Sequence, residues 1–332
     1  IGTQKNTILI TGGAGYIGAH VLDALRKEGE YKIEVVDNFS QNRKNIISDP
    51  NITYHEVDVR DKESLRAIFA ATKPTLVFHF AALANVPDSI ANPSGYYDNN
   101  IIGGLNLLEC MKEVGTSKII FSSAGAIYGE PIHEVINESH PKTPTNPYGY
   151  TKLVFENILK DYNKAYGLSS VALRYFCPAG CDINSGLGEW RVEESHVIPS
   201  IVLTLLGKRR EFNVFGKDFP TPDGTGIRDY IHISDVVSAH VQAMKKILTT
   251  ESYCDQFNIG INKGFSVLEL INVAEKISGK KLNYSFKERR PGDPSRLIAD
   301  STKAQTELLW KPEHTDVKDM IESTYHFFEK NL

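Results

Sequence analysis

Gly12, Gly15 and Gly18 in T-G-G-A-G-Y-I-G (11–18) satisfy G-x-x-G-x-x-G, and Gly13, Gly15 and Gly18 satisfy G-x-G-x-x-G. Glycines so placed let the chain turn sharply, let a pyrophosphate approach the backbone and let a helix pack closely on a sheet. A helix beginning near Tyr16 would aim its first N–H groups at the phosphates. An apolar strand, Thr7 to Ile10, precedes the run, and Asp37 closes the next apolar strand, nineteen residues beyond Gly18. A carboxylate there would accept hydrogen bonds from an adenosine ribose and repel a 2′-phosphate, so the expected cofactor is NAD rather than NADP. A glycine turn with a solvent-facing aspartate is the plainer alternative; the strand–turn–helix context argues against it.

Tyr148 and Lys152 lie four residues apart in N-P-Y-G-Y-T-K (146–152). Pro144 and Pro147 mark a helix start, and Leu153 to Lys164 continues with helical periodicity. That spacing sets phenol and ammonium one turn apart on one helix face. A tyrosine of ordinary pKa, about 10, is a poor base near neutrality, and a nearby ammonium and a positive nicotinamide ring both favour its phenolate. A drop of ~2–3 units needs roughly 3–4 kcal/mol of differential stabilisation, within reach of two cations in a closed cleft. Alone, Y-x-x-x-K is common on helix surfaces; downstream of a dinucleotide signature it becomes a candidate proton-transfer pair.

Elements of alternating type must position these residues. Strands are expected at 7–10, 33–36, 52–57, 75–80 and 119–122, and helices at 16–28, 64–71 and about 92–114. Near-continuous apolar strands alternating with helices indicate a parallel sheet covered on both faces. F-S-S-A-G-A-I-Y-G (121–129) ends one such strand at the carboxyl side, where these folds bind ligands. After about residue 176 the alternation loosens and Gly, Asp, Glu and Pro become frequent. The expectation is an α/β protein: a Rossmann-type doubly wound parallel sheet over 1–176, and a smaller C-terminal lobe over 177–332 with some segments returning to the main sheet.

Further motifs are V-V-D-N (35–38), H-F-A-A-L (79–83), Y-Y-D-N-N (96–100), F-S-S (121–123), L-R-Y-F (173–176), G-T-G-I-R-D-Y-I-H (224–232) and R-R-P-G-D (289–293). With the two signatures above, the chain resembles the extended short-chain dehydrogenase/reductases over essentially its whole length. Within them it is most similar to the UDP-glucose 4-epimerase family.

The resemblance implies that Gly12, Gly15, Tyr16, Ile17 and Gly18 wrap the NAD pyrophosphate. Asp37 and Asn38 would address the adenosine ribose, and Asp58 and Val59 the adenine. Phe80, Ala81 and Ala82 would line the middle of the cofactor, with Asn99, Ser122 and Tyr175 around the nicotinamide. Tyr148 would take the proton of the sugar 4-hydroxyl as hydride leaves C4, and Lys152 would lower its pKa and bind the nicotinamide ribose. A 4-keto sugar would then turn over and be reduced on its other face, inverting C4. Arg228 and Arg290 would hold the diphosphate of a UDP-sugar, since forked guanidinium donors suit phosphate oxygens. Salt bridges to Asp229 and Asp293 are the alternative for these arginines. Phe215 matches a uracil-pocket position, His196 and Val197 an Asn-Leu or His-Leu pair, and Asp293 and Leu297 other substrate positions, Leu297 a gate. Leucine at that gate is compatible with N-acetylated sugars.

The chain departs from the pattern in two places. A Ser or Thr expected four residues before Tyr128 is Ala124, and Ser123 is the nearest hydroxyl that could replace it if the turn begins early. Cys177 stands where asparagine is common. Gly125-Ala126 occupies the place of the acid pair that a 4,6-dehydratase needs, which argues against dehydration. A UDP-uronate or UDP-pentose epimerase or decarboxylase remains an alternative, as does a catalytically impaired NAD-binding protein because of Ala124.

A net charge near −4 leaves no basic footprint for nucleic acid or an anionic membrane, and no apolar run is long enough to span a bilayer. Four irregularly spaced cysteines and an opening I-G-T-Q-K-N without an apolar leader suggest a reducing, cytoplasmic setting. Cys177 and Cys181 lack a second ligand pair, so no metal is expected. Apolar residues on the helices near 92–114 and 148–164 would suit a homodimer contact.

Overall fold

The computed structural model describes residues 6–42, 44, 46–191 and 194–332; the opening residues 1–5 lie outside the described residues. The first half runs β1 (Asn6–Thr11), α1 (Tyr16–Glu28), β2 (Tyr31–Asp37), β3 (Ile52–Glu56), α2 (Lys62–Thr72) and β4 (Leu76–His79). It continues through α3 (Val86–Ala91), α4 (Pro93–Tyr97), a π-helical turn (Asp98–Ile102) and α5 (Gly103–Val114). β5 (Lys118–Ala124), a 3₁₀ turn (Gly125–Tyr128), α6 (Pro147–Tyr166) and β6 (Ser169–Tyr175) complete it.

Strand alternation explains the continuous apolar runs. Ile8, Ile10, Ile33, Val35, Phe78 and Ile120 enter one buried cluster with α1, while Leu9, Val36, Val77, Ile119 and Phe121 enter another with α2, α5 and α6. Both faces are covered, so neither can be polar.

The second half holds β7 (Cys177–Ala179), α7 (Val197–Leu205), β8 (Phe212–Phe215), β9 (Ile227–Arg228), β10 (Tyr230–His232) and α8 (Ile233–Leu248). Then come β11 (Cys254–Ile259), β12 (Phe265–Ser266), α9 (Val267–Ser278), β13 (Tyr284–Lys287), β14 (Arg296–Leu297), α10 (Thr302–Glu307) and α11 (Val317–Asn331). The main sheet has the order β11-β6-β5-β4-β1-β2-β3 and is parallel throughout. β11 therefore closes an edge beside β6, and α8 packs against α1. Outside that sheet, β10 pairs with β7, β13 with β8, and β12 and β14 flank β9. The strand order reverses between β1 and β4, the crevice where such sheets bind ligands.

The single helix expected over 92–114 is interrupted. Asn92 caps α4, and the turn over Asp98–Ile102 is π-helical. There Asn100 Oδ1 accepts the Leu83 N–H at 2.8 Å, and its Nδ2 donates to Leu83 O at 3.0 Å and to Thr151 Oγ1 at 2.9 Å. Those three bonds tie the bulge to the loop after β4 and to α6. No described helix is long and apolar enough to cross a membrane.

Candidate active site

At the carboxyl end of β1, Gly12 adopts φ +69°, and a Cβ there would lie 2.6 Å from Ala81 N. A Cβ on Gly18 would lie 2.3 Å from Gly12 O. These two contacts let the glycine turn nest between β4 and α1. Gly15 begins α1 with no side-chain cap, so the first-turn N–H groups remain available to an anion. Asp37 takes the Ala14 N–H on Oδ2 at 3.0 Å and the Phe39 N–H on Oδ1 at 2.8 Å. Burial nevertheless raises its pKa, and each oxygen keeps lone-pair capacity for ribose hydroxyls.

Asn38 donates to Asp58 Oδ2 at 2.9 Å; the Arg60 guanidinium grips both Asp58 oxygens and holds that carboxyl well below its usual range. Val59 is buried against Gly103. Phe80 stacks on Phe78, Ala81 N–H donates to Thr11 O at 3.1 Å, and Ala82 and Ile17 are half-buried. Tyr16 O–H donates to Gly180 O at 2.5 Å, and burial pushes that phenol well up. The glycine cradle, the uncapped helix start and the ordered carboxylate fit a dinucleotide.

α6 starts where Asn146 Oδ1 accepts the Gly149 N–H at 2.9 Å, with Pro147 in the first turn. Tyr148 and Lys152 follow on its inner face. Lys152 Nζ donates to Ser122 O at 2.7 Å, 4.9 Å from the Phe121 ring centre and 5.8 Å from that of Tyr148. Burial lowers Lys152 to about 7, against the pull of Glu156. Burial first and Tyr96 second raise the Tyr148 phenol, which Arg191 partly offsets. Tyr175 O–H donates to Ser122 Oγ. Ser122, Tyr148, Lys152 and Tyr175 thus converge at the end of β5. Asn99 sits on the π turn and donates to Asn100 Oδ1 at 3.0 Å.

Ser123 is a correction. β5 stays extended through Ala124, which pairs with Tyr175, so the turn does not begin early. The pleat sends Ser123 to the far face, where its hydroxyl donates to Glu156 Oε1 at 2.6 Å in a fully buried position. It cannot stand in for a missing hydroxyl. Ala124 shares the face of Ser122 and brings none.

In the second half, Arg290 Cζ lies 3.9 Å above the centre of the Phe215 ring, and burial lowers its pKa against the pull of Asp293. Arg228, on β9, donates to Ile227 O at 2.9 Å. Neither arginine makes an ion pair among the described residues: the Asp229 carboxylate is occupied by the N–H groups of Ile261, Asn262 and Ala299. Asp293 N–H donates to Arg290 O at 3.3 Å, closing the turn that carries both. Leu297 pairs in register with Arg228 and is buried beside Ile127, Tyr128 and Ile136. Cys177 N–H donates to Asp229 O at 3.1 Å, and burial pushes its thiol up to about 12.

His196 Nδ1 lies 2.5 Å from Glu189 Oε1; burial opposes the charge, but the carboxylate prevails and raises the imidazole pKa. Val197 opens α7 just behind it. Sequence reasoning passed over Glu189, Glu194, Glu156 and Arg174. No local spacing signals a partner supplied by another element. Glu189, Glu194 and His196 bring possible ligand atoms within 4.8 Å of one another, with Arg191 already donating to Glu189.

Comparison with known proteins shows the family of the chain. The model of the family described as GDP-mannose 4,6 dehydratase matches residues 9–324. UDP-glucose 4-epimerase of Lacticaseibacillus casei is 42% identical over 325 residues, 98% of this chain and 97% of that protein. The chain belongs to the UDP-glucose 4-epimerase family. Among solved members, the Bifidobacterium longum UDP-glucose 4-epimerase in complex with NAD+ and UDP superposes with a TM-score of 0.93 at 39% identity, covering 98% of this chain and 99% of that one. The UDP-Glc/GlcNAc 4-epimerase of Campylobacter jejuni gives 0.83 at 37% identity, covering 98% and 99%. The family is thus an epimerase family, within a dehydratase-type superfamily model.

Proposed function

We propose that this chain interconverts the C4 epimers of a UDP-hexose, UDP-glucose and UDP-galactose or their N-acetylated pair, through a 4-keto sugar. The observation that carries it is the convergence of Tyr148, Lys152 and Ser122 at the carboxyl edge of the sheet whose β1 leads into the glycine cradle. When bound, NAD supplies a reversible hydride acceptor for C4. Tyr148 Oη takes and returns the proton of the 4-hydroxyl, and the Lys152 ammonium favours its phenolate. Ser122 and Tyr175 fix the floor on which Lys152 is held, and Asp37 holds the adenosine ribose. Arg290, already stacked on Phe215, and Arg228, without an ion pair among the described residues, hold the diphosphate while Phe215 packs against uracil. His196, Val197, Cys177, Asp293 and Leu297 complete the sugar side. The lobe outside the main sheet is the nucleotide-sugar lobe.

Galactose metabolism and a cytoplasmic setting follow from this reading. Ile90, Tyr97, Ile102, Tyr150 and Val154 are exposed on α3, α4, the π turn and α6, which supports a homodimer through that face; sedimentation as a monomer at micromolar concentration would remove it. Gly125 carries no side chain where a dehydratase needs an acid, and a Cβ there would sit 2.9 Å from the Phe176 ring.

The test is to denature the purified protein, look for released NAD, and assay UDP-glucose against UDP-galactose with no added cofactor. Absence of both NAD and turnover would sink the reading. Ala124 favours one second reading, an NAD-binding protein of reduced activity. Bound NAD without turnover, restored by Ala124→Ser, would support it.

A further inference from the structure

Beneath the proton-transfer pair lies a charge network that the proposed chemistry does not use. Glu156 and Arg174 both have fully buried side chains. Arg174 Nε donates to Glu156 Oε1 at 2.8 Å and Nη2 to Oε2 at 2.5 Å, a forked pair completed by Ser123 Oγ on Oε1 at 2.6 Å. Arg174 Nη1 reaches Tyr128 Oη at 2.9 Å, and Tyr128 O–H donates to Asn258 Oδ1 at 2.7 Å. The network joins α6, β5, β6, the 3₁₀ turn and β11.

A buried ion pair of this kind adds little net stability, because desolvation consumes most of the Coulombic gain; apolar residues of similar size often serve as well. Its position suggests another role. Glu156 follows Lys152 by one helical turn, with Cβ atoms about 5–6 Å apart at that spacing. Among the described residues, the groups around Lys152 are otherwise uncharged or neutralised. From β5 come the Phe121 ring and Ser122 O, and from α6 the Tyr148 phenol. From β4 comes His79, whose pKa burial lowers to about 3, helped by Lys152 itself. From β6 comes Tyr175, whose hydroxyl donates to Ser122 Oγ and whose ring packs against His240. Facing Glu156 are Arg174, Ser123, the Tyr128 phenol and, more distantly, Lys142.

We infer that Glu156, clamped by Arg174 and Ser123, is a positioning residue for the reaction: it keeps Lys152 cationic and its ammonium aligned beneath Tyr148. The clamp fixes where the carboxylate sits, and the helix turn sets its distance from Lys152. Burial opposes the Lys152 charge, and the Glu156 carboxylate offsets part of that. The inference rests on the epimerase reading for its link to turnover.

The test compares holoenzymes: wild type, Glu156→Gln, and the double variant Glu156→Leu with Arg174→Met, which leaves no orphaned charge. Wild-type NAD content and turnover come first, since their absence overturns the epimerase reading alone. The titration of Lys152, followed by NMR of ¹³Cε-labelled lysine, needs no activity. In the double variant its midpoint should fall by about one pH unit, with the alkaline limb of kcat moving down alongside, kcat dropping ~10-fold at pH 8.5, and KM changing less than about twofold. A folded, NAD-loaded variant with the wild-type Lys152 midpoint and pH profile would overturn the inference. So would failure of both variants to fold, which would make the pair purely structural.

Discussion

Ser122 and Ser123 are chemically identical neighbours, yet the pleat of β5 gives one to the Tyr175 hydroxyl and the other to Glu156. Residue type named both as candidates; orientation separated them. The same strand leaves Ala124 on the productive face without a hydroxyl, so Ala124→Ser should raise kcat by ~10²–10³ if that donor is the missing one, with little change in KM. Tyr148→Phe, by contrast, should cost ~10²–10⁴ in kcat and leave NAD bound. His196 supplies a pH test. Its folded pKa is raised by Glu189, so the pair stabilises the fold fully below the imidazole's unfolded value and loses that contribution as pH rises through the folded value. The melting temperature of wild type should therefore exceed that of His196→Gln most at pH 6, and the gap should close as pH rises through the raised pKa.

At the scale of elements, α6 unites both halves of the site. Its outset is set locally by Asn146 and Pro147, and its inner face by Lys152, Phe155 and Glu156. The glycine turn is equally local: Gly12 needs φ +69° and has a backbone neighbour where a Cβ would go. Gly12→Ala should lower stability by about 1–3 kcal/mol in denaturant titration and strip the protein of bound NAD. The π turn is less local. Its Asn100 side chain satisfies Leu83 and Thr151, so Asn100→Leu should cost about 1–3 kcal/mol in the same titration by leaving those groups unpaired. A smooth helical period over 92–114 hid this interruption, because the bulge answers to partners far along the chain.

At the scale of the molecule, the chain leaves the main sheet after β6 and returns with α8 and β11, so sequence order does not divide the sheet from the rest. Arg290 and Phe215 come from separate strand regions and meet only because β13 pairs with β8. Arg290→Ala should raise KM for the UDP-sugar at least ~10-fold with a smaller effect on kcat, the mark of an interaction shared by ground and transition states. Removing NAD should lower the melting temperature, since a ligand held at 100 times its Kd stabilises the fold by about 2.7 kcal/mol.

The sequence by itself determined the parallel sheet, the dinucleotide turn and the Tyr148–Lys152 spacing, because each depends on backbone conformation or helix geometry within a few residues; Arg228 and Arg290 stand out in it only through the resemblance of their motifs. Tertiary structure decided what Ser123 faces, where Glu156 finds Arg174, and which strand closes the sheet beside β6. Those outcomes depend on desolvated groups finding partners 18 to more than 80 residues away. No local pattern encodes that pairing; it is settled when the elements pack and each buried polar group must be satisfied.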